Sequence, residues 1–407
     1  MSSLKLNKHT GSIKCEIDLA SSKSESNRAL IINALAGSTS HLKRLANARD
    51  TETMQRLLSD MDGEVWDVLD AGTTMRFLTA FAAVKGLPKL MTGTARMKER
   101  PIALLVDSLK ELGAEISYME NEGFPPHTIE SFNFSGSNKL SIRGDISSQY
   151  ISALLMIAPY LPQGLEITLT GKIGSRPYIE MTLALMKHFG VDSQWEKNKI
   201  SVAPQEYKAK EYTIEADWSG ASYWYSIVAL AEKAEIKLIG LRENSFQGDS
   251  VLVELMDKLG VKTNFVADGV ILTKKEHVNS LTWDFTHCPD IAQTISVICA
   301  VKGISIKMLG LESLRIKETD RIDAIVEQLK KFEIGCTVRG DEEIKIEKPQ
   351  FVAKKNVINT YHDHRMAMAF APLALVTEIE IEDKTVVNKS YPNFWKDLHK
   401  AGFVIEE

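Results

Sequence analysis

The chain has 407 residues, which is too long for one simple core, so two or more domains are expected. Its composition is that of a globular protein, and its net charge of -5 does not favour a nucleic-acid-binding protein. The N-terminus lacks a signal pattern, no apolar run approaches the ~20 residues of a membrane helix, and the four cysteines form no CxxC pair, so a cytoplasmic protein without a metal is expected.

Apolar segments opened by a short polar signature recur along the chain and predict buried helices. Each signature runs into residues rich in Ala, Leu, Ile or Met, as in Ala29-Leu30-Ile31-Ile32. A helix that is apolar on nearly every face is expected to be buried. The six signatures begin at Ser22, Asp70, Ser147, Asp217, Pro289 and Asp363.

A second series of segments predicts a strand, a polar loop and an amphipathic helix after most of the buried helices. The strands end at a glycine, as Leu165–Leu169 does before Gly171. The helices that follow end alike, with a glycine that fits a left-handed C-cap at Gly113, Gly190, Gly260 and Gly402. The fifth copy has Glu333 at this place.

Together these segments predict an α/β protein of six βαβαββ units, each roughly 70–75 residues long and the first shortened. Three units form a domain over residues 20–215, and the other three form a second domain from residues 1–19 and 216–407. Helix N-termini carry free N–H groups and the positive end of the dipole, so they favour anions. We therefore expect an anion site in a cleft between the domains.

The signatures of the N-terminal half offer cations and hydrogen-bond donors where loops enter helices. The first contains Lys23 and Arg28, and Arg28 lies inside a buried-helix pattern, where a cation needs a partner. Gly72 lets the backbone approach a ligand closely. Taken singly, each signature also fits an ordinary helix cap or a solvated face. The other donor sets are Arg96–Pro101, Ser147-Ser148-Gln149 and Ser175-Arg176-Pro177-Tyr178.

The C-terminal half has cations at helix starts, where helix electrostatics disfavour them. The segment Arg315–Arg321 is predicted to begin a helix with three cations in it, and Arg365 opens an apolar helix. Such conflicts with a local rule are typical of functional sites. Asp290 heads another apolar helix, where a plain N-cap is the alternative, and Lys389 follows a strand.

In their order along the chain, the signatures resemble those of the EPSP synthase (3-phosphoshikimate 1-carboxyvinyltransferase) family. The resemblance rests on seven strings and covers nearly the whole chain. They are SKSESNR at 22–28, AGTTMR at 71–76, RMKERP at 96–101, SSQ at 147–149, SRPY at 175–178, RIKETDR at 315–321 and DHRMAM at 363–368.

The resemblance implies a two-domain inverse α/β barrel-like fold and an addition–elimination reaction. The enolpyruvyl group of phosphoenolpyruvate would pass to the 5-hydroxyl of shikimate 3-phosphate, and phosphate would be released. The implied partners are these two small molecules, with no cofactor, metal, nucleic acid or membrane, and with a monomeric enzyme. The inhibitor glyphosate, which competes with phosphoenolpyruvate in this family, is expected to bind.

The resemblance also implies a role for each matching residue. The implied catalytic residues are Asp290, Glu318, Lys317 and Lys23, with proton transfer expected at Asp290 and Glu318. Those implied to bind shikimate 3-phosphate are Lys23, Ser24, Arg28, Ser147, Ser148, Ser175, Tyr178, Asp290, Ser313 and Lys317. Those implied to bind phosphoenolpyruvate are Lys23, Gly72, Arg100, Gln149, Arg321, Arg365 and Lys389. Arg76 and Arg315 are interpreted as structural, or as contributing charge only.

Some positions depart from the family pattern. Asp70 stands where Asn is common and puts a carboxylate near the expected anion site, and Ser313 replaces an Asn. Two alternatives therefore stay open: the related enolpyruvyl transferase that acts on UDP-N-acetylglucosamine, and a non-catalytic anion-binding relative. The first typically uses a loop cysteine, and only Cys288 lies beside a signature.

Overall fold

The computed structural model describes residues 2–37, 42–174 and 176–406. The chain divides into two compact units, and each is described by itself. Unit 1 consists of Met1–Ser21 and Glu215–Glu407, and unit 2 of Ser22–Ile214.

Each unit contains helices and short strands in alternation. The chain starts with β1 (Leu4–Leu6) and β2 (Ile13–Asp18), which belong to unit 1. The helices of unit 2 are α1 (Lys23–Leu35), α2 (Arg49–Ser59), α3 (Gly72–Val84), α4 (Ala95–Lys98), α5 (Ala103–Leu112), α6 (Ser148–Ile157) and α7 (Arg176–His188). Its strands are β3 (Leu42–Lys43), β4 (Val65–Asp67), β5 (Lys89–Thr92), β6 (Ala114–Tyr118), β7 (His127–Phe132), β8 (Lys139–Arg143), β9 (Leu165–Thr170), β10 (Gln194–Glu196), β11 (Lys199–Val202) and β12 (Tyr212–Thr213).

The remainder of unit 1 follows the same alternation. Its helices are α8 (Trp218–Leu230), α9 (Leu252–Leu259), α10 (Ala292–Lys302), α11 (Arg321–Lys330), α12 (His364–Phe370) and α13 (Phe394–Lys400). Its strands are β13 (Ala234–Ile239), β14 (Val261–Val266), β15 (Gly269–Lys274), β16 (Ser280–Asp284), β17 (Ser305–Leu309), β18 (Cys336–Arg339), β19 (Glu343–Ile346), β20 (Asn356–Ile358), β21 (Ile379–Ile381) and β22 (Ile405–Glu406). Short 3₁₀ turns cover Gly248–Val251, Pro289–Ile291, Glu312–Ile316 and Lys384–Lys389.

One sheet topology recurs five times within the described residues. Each of these sheets has four strands, in the orders β4-β5-β7-β6, β8-β9-β11-β10, β2-β13-β15-β14, β16-β17-β19-β18 and β20-β21-β1-β22. In each order the first two strands are parallel and the other pairs are antiparallel. A parallel pair needs a crossover, which helices provide, so each sheet corresponds to one repeated unit.

The first repeat is short, as the sequence predicts. In place of a four-stranded sheet, the described part of the chain has one two-stranded parallel sheet, which joins β3 to β12. Helix α1 nevertheless has the buried character of its counterparts, with Ala29, Ile31, Ile32 and Leu35 inside. Each unit thus has a core of apolar helices and sheet faces.

The predicted glycine caps are present, and the exception keeps the same backbone geometry. Gly113 and Gly260 end their helices in the left-handed conformation, with φ of 110° and 99°. Glu333, at the corresponding place after α11, has φ of 64° although it is not a glycine. The backbone turn is therefore required by the repeat, and the side chain at this place is not.

One predicted helix start is wrong. Arg315 and Lys317 do not lie in the first turn of a helix, because Glu312–Ile316 is a 3₁₀ turn and α11 begins at Arg321. Asp320 is the N-cap, and its side chain accepts hydrogen bonds from the backbone N–H groups of Ile322 and Asp323. Only Arg321 of the three cations stands at the positive end of the helix. Among the residues described, no helix is long and apolar enough to cross a membrane.

Candidate active site

Arg321 is the centre of an ionic cluster in unit 1. Its side chain is only 2% exposed, and its guanidinium donates to three carboxylates. Nε contacts Asp363 Oδ2 at 2.7 Å, Nη1 contacts Asp290 Oδ1 at 2.8 Å, and Nη2 contacts Glu318 Oε2 at 2.9 Å. A buried guanidinium needs such partners, and its fork of N–H groups suits several carboxylates at once.

Three more cations converge on Asp290 and Glu318. Arg365 Nη2 lies 3.0 Å from Asp290 Oδ2, and Lys317 Nζ lies 3.7 Å from Asp290 Oδ1. Lys389 Nζ, at the end of a 3₁₀ turn, lies 3.3 Å from Glu318 Oε1. Within unit 1 the structure thus brings together the six charged residues to which the resemblance assigns a catalytic or binding role.

The opposite charges of the cluster stabilise one another in their ionised forms. Burial opposes the charge of Asp290, but Arg365, Lys317 and Arg321 outweigh it and hold the pKa of this carboxyl well below its usual range. Burial also disfavours the charge of Arg321, but Asp363, Glu318 and Asp290 raise its pKa. Asp290 is therefore ionised at neutral pH and can accept a hydrogen bond or a proton.

One N–H group of the Arg365 guanidinium is not hydrogen-bonded by the described residues. Asp363 is the N-cap of α12 and accepts from the backbone N–H of Arg365 at 2.8 Å, which fixes the start of the helix. The hydroxyl of Tyr223 lies 3.4 Å from Arg365 Nη1. Arg365 Nε is buried and has no hydrogen-bond partner among the residues described. A buried unsatisfied N–H group is costly, and an anionic ligand would satisfy it.

In unit 2, Lys23 is held at the start of α1. Ser22 is the N-cap, and its side chain accepts from the backbone N–H of Glu25. Lys23 Nζ lies 3.1 Å from Oδ2 of Asp50, whose side chain is 3% exposed. Asp50 comes from the first turn of α2, and its carbonyl accepts from Thr74 Oγ1 of α3 at 3.1 Å. The position of the Lys23 ammonium group therefore depends on three helices.

Arg28 lies one turn further along α1 and is buried among neutral groups. Its guanidinium donates to Thr182 Oγ1 at 2.7 Å, to Ser152 Oγ at 3.0 Å and to the carbonyl of Ser24 at 2.9 Å. It also lies over the rings of Phe77 and Tyr178, at 5.3 and 5.8 Å. Burial lowers its pKa to about 10.

Gly72 stands between two guanidinium groups. A Cβ atom at this glycine would lie 2.5 Å from Arg100 Nη1 and 2.6 Å from Arg76 Nη1. The two Nη groups of Arg76 donate to the carbonyls of Gly72 and Pro101 at 2.9 and 3.1 Å, and its buried Nε has no hydrogen-bond partner among the residues described. The interpretation of Arg76 as structural agrees with these contacts, and Arg100 is the second cation beside Gly72.

The predicted neutral donors lie at the starts of helices in unit 2. Ser147 is the N-cap of α6 and accepts from the backbone N–H of Gln149, and Ser148 is buried. Tyr178 lies in the first turn of α7 and contacts Arg28. Ser175 lies outside the described residues. In unit 1, Ser313 is half-buried in the 3₁₀ turn before Lys317.

Comparisons with known proteins identify the family. The sequence model of EPSP synthase (3-phosphoshikimate 1-carboxyvinyltransferase) matches residues 8–70 and 62–398. The chain belongs to the EPSP synthase family. A Bacteroides fragilis protein named 3-phosphoshikimate 1-carboxyvinyltransferase is 48% identical over 97% of both chains. A Haemophilus influenzae protein of the same name is 36% identical over 94% of this chain and 95% of its own.

The fold comparison agrees with the family. The solved structure of EPSP synthase from Acinetobacter baumannii covers 100% of both chains with a TM-score of 0.83 at 21% identity. The predictions of the family and of the α/β fold class are confirmed. The alternative that acts on UDP-N-acetylglucosamine is not favoured, because the relatives carry the other name.

A departure from the EPSP synthase pattern is compensated in unit 2. Asp70, the carboxylate near the expected anion site, accepts a hydrogen bond from Arg49 Nη2 at 2.5 Å. Arg49 is the first residue of α2 and directly precedes Asp50. The negative charge of Asp70 therefore has a cation of its own, and the potential around Gly72 is less affected than the sequence alone indicates.

The sequence alone does not reveal the residues that hold the cations of the candidate site in place. Asp363 was interpreted only as part of a signature, although it bonds Arg321 across 42 residues of sequence. Asp50 and Tyr223 were not singled out, and they contact Lys23 and Arg365. A carboxylate at a helix start looks like an ordinary cap, so no local signal distinguishes these partners.

Proposed function

We propose that the protein transfers the enolpyruvyl group of phosphoenolpyruvate to the 5-hydroxyl of shikimate 3-phosphate and releases phosphate. Family membership supports this proposal, and one observation of the molecule carries it. Asp290, which is ionised, shares a buried cluster with Glu318 and with four cations. Such a cluster offers proton-transfer groups beside charges that match phosphate and carboxylate.

The reaction needs a proton at one carbon and an oxygen at its neighbour. The hydroxyl oxygen of shikimate 3-phosphate bonds to C2 of phosphoenolpyruvate and loses its proton, while the methylene carbon gains a proton. The tetrahedral product then breaks its C2–O bond to phosphate and loses a proton from the new methyl group. At least one base and one acid must therefore act near these two carbons.

Asp290 and Glu318 are the proposed proton-transfer residues, with Lys317 and Lys23 assisting. Asp290 is available to accept the hydroxyl proton, because Arg365, Lys317 and Arg321 keep it ionised against the effect of burial, and the same cations make it a weaker base. Glu318 lies between Arg321 and Lys389, at 2.9 and 3.3 Å. Positive charges beside a developing phosphate or carboxylate stabilise the transition state without reorganisation.

The binding residues form two proposed sets. For phosphoenolpyruvate they are Lys23, Gly72, Arg100, Gln149, Arg321, Arg365 and Lys389, and the unpartnered Nε of Arg365 supports the set. For shikimate 3-phosphate they are Lys23, Ser24, Arg28, Ser147, Ser148, Ser175, Tyr178, Asp290, Ser313 and Lys317, and the support comes from Arg28, whose charge is met by neutral groups.

The proposal is tested by phosphate release with both substrates present. We expect Lys23→Ala and Glu318→Gln each to reduce kcat at least ~100-fold, which is the scale of lost acid–base catalysis. Lys14→Ala and Glu235→Gln are matched controls, because these residues form an exposed ion pair on β2 and β13. Near-normal turnover in the first two variants would contradict the assignment, and a wild-type protein that releases no phosphate would contradict the function.

We also propose that the enzyme is a cytoplasmic monomer. The four cysteines are free, as expected of a protein in a reducing compartment. Sedimentation at working concentration should give the mass of one chain, 45.4 kDa, and twice that mass would contradict the proposal.

A further inference from the structure

A buried carboxyl group lies near the Asp290 cluster and has no cation of its own. Asp249, in the 3₁₀ turn that precedes α9, is 4% exposed. Its Oδ2 accepts a hydrogen bond from Ser219 Oγ, in the first turn of α8. Its Oδ1 is buried without a hydrogen-bond partner, and no Lys, Arg or His of the described chain forms an ion pair with it.

The neighbours of Asp249 connect it to the proposed site. Ser219 lies one turn before Tyr223 on α8, and the Tyr223 hydroxyl contacts Arg365. The charges of Asp290 and Arg365 both act on Asp249, and Asp217, the N-cap of α8, adds a third. A further titratable neighbour is Cys288, whose pKa burial raises to about 12, so it is a neutral thiol.

Asp249 differs from the carboxylates of the Asp290 cluster because no cation of the described chain contacts it. Arg365, Arg321 and Lys317 all contact Asp290 directly, and these contacts favour its ionised form. An ionised Asp249 would be a second negative charge, buried and bare at Oδ1. An uncompensated buried charge costs several kcal/mol, so a carboxyl in this position takes up a proton instead.

We propose that Asp249 is a positioning residue of the reaction: its carboxyl group stays neutral near Asp290, so that no further negative charge competes with Asp290 for Arg365. This inference rests on the proposed function. In support of it, burial and the charge of Asp290 raise the pKa of Asp249 to about 7. Groups with environments that push their pKa values apart are typical of acid–base sites.

The role has a consequence for the pH dependence of turnover. Above neutral pH, Asp249 would lose its proton, and its negative charge would oppose both the ionised Asp290 and the anionic substrates. We expect kcat/KM of the wild-type enzyme to fall with an apparent pKa near 7 for this reason. In Asp249→Asn this alkaline limb of the kcat/KM profile should be absent, because the amide cannot ionise. Asp268→Asn is the matched control, since Asp268 is an exposed carboxylate of the same unit.

A second measurement does not depend on turnover. Infrared difference spectra across neutral pH should show the C=O stretch of a carboxyl that titrates near pH 7 in the free wild-type protein and in Asp268→Asn, and this near-neutral band should be missing in Asp249→Asn. In Ser219→Ala the band should persist to higher pH, because the Ser219 hydrogen bond favours the ionised form. This variant also keeps the test available if Asp249→Asn does not fold.

Each outcome decides the inference. It is overturned if Asp249→Asn keeps the carboxyl band, if the band in Ser219→Ala titrates at or below the wild-type pH, or if the kcat/KM profile of Asp249→Asn has the wild-type alkaline limb. The inference is supported if Asp249→Asn loses both the infrared band and the alkaline fall of kcat/KM. A wild-type protein that shows the band but releases no phosphate would contradict the proposed function, and the neutral state of Asp249 would stand.

Discussion

Arg28 and Arg321 are both buried arginines near the start of a helix, and their surroundings are opposite. Arg321, in unit 1, bonds three carboxylates within 2.9 Å. Arg28, in unit 2, bonds two hydroxyls and a carbonyl, and no carboxylate within the described chain forms an ion pair with it. Burial lowers the pKa of Arg28 to about 10, whereas the carboxylates raise that of Arg321 in spite of burial.

The difference separates two uses of a buried cation. The charge of Arg321 is balanced by the protein, so this residue organises Asp290, Glu318 and Asp363. No carboxylate of the described chain contacts Arg28, on which the charge of Glu25 acts without an ion pair, and a ligand could supply the missing contact. Removal of Arg321 should therefore damage the protein itself, and removal of Arg28 should damage ligand binding.

The largest effect is expected from Arg321→Gln. Three buried carboxylates would lose their common partner, and breaking a buried ion pair costs about 3–5 kcal/mol of unfolding free energy. Phosphate release should also fall below detection, because Asp290 and Glu318 lose their alignment. Urea unfolding and the phosphate assay measure the two effects.

Arg315→Gln is the control for this prediction. Arg315 also contacts three carboxylates, but two of them, on Asp323 and Asp341, are at least 70% exposed. Exposed ion pairs contribute little to stability, so we expect the unfolding free energy to fall by at most about 1 kcal/mol. Equal losses in the two variants would show that the burial of Arg321 does not set its importance.

The two units should also differ in their stability at acid pH, because unit 2 contains the buried His127. Its ring is fully buried, Nε2 contacts Thr79 Oγ1 at 3.1 Å, and Nδ1 has no partner among the described residues. Burial lowers its pKa from 6.5 to about 4. The fold therefore favours the neutral ring. The contribution of His127 to the unfolding free energy is complete above pH 6.5, and it falls by about 3 kcal/mol as the pH falls toward 4.

Unit 1 should not share this loss above pH 4. The pKa of Asp290 is held well below the usual 3.8, so its contribution is present above that pH and is lost only as pH falls through the lower folded value. Amide hydrogen exchange at pH 7 and 4.5 should therefore show unit 2 opening first. His127→Asn should remove much of the difference, and the exposed His399→Asn should not. Equal acid sensitivity of the two units would contradict the prediction.

Arg28→Met tests the ligand side of the comparison. We expect about 1 kcal/mol of lost stability, because Thr182 still donates to Ser152 at 2.9 Å and the burial penalty of the guanidinium disappears. Binding of shikimate 3-phosphate should weaken at least ~100-fold. A ligand at 100 times its Kd stabilises by about 2.7 kcal/mol, so thermal unfolding with and without it measures the loss.

The control for Arg28→Met is Arg143→Met, at an exposed arginine of the same unit. It should keep the stabilisation by shikimate 3-phosphate in full. If Arg28→Met also kept it, the counterion of Arg28 would have to be sought elsewhere than in this ligand.

The success of sequence reasoning depended on whether a signal was local. The repeats, the short first unit and the cations were predictable, because helix periodicity and charges at helix starts are visible in a few adjacent residues. The pairing of the charged side chains was not predictable, since Asp363 lies 42 residues from its partner Arg321 and Asp50 lies 27 residues from its partner Lys23. The wrong helix start before Arg321 has a local cause, because Asp320 is the N-cap of α11 and charge alternation does not reveal this cap.

The smallest effect concerns the repeats themselves. Four of the amphipathic helices are followed by a glycine with positive φ, and the copy after α11 has Glu333 with φ of 64°. A left-handed residue with a side chain costs roughly 1–2 kcal/mol, and the Glu333–Lys354 ion pair is too exposed to offset this. Glu333→Gly should therefore raise the unfolding free energy by about 1 kcal/mol. Glu327→Gly, inside α11, should lower it by a similar amount. If both changes destabilise in urea unfolding, the glycine caps of the other repeats serve close packing and not the backbone turn.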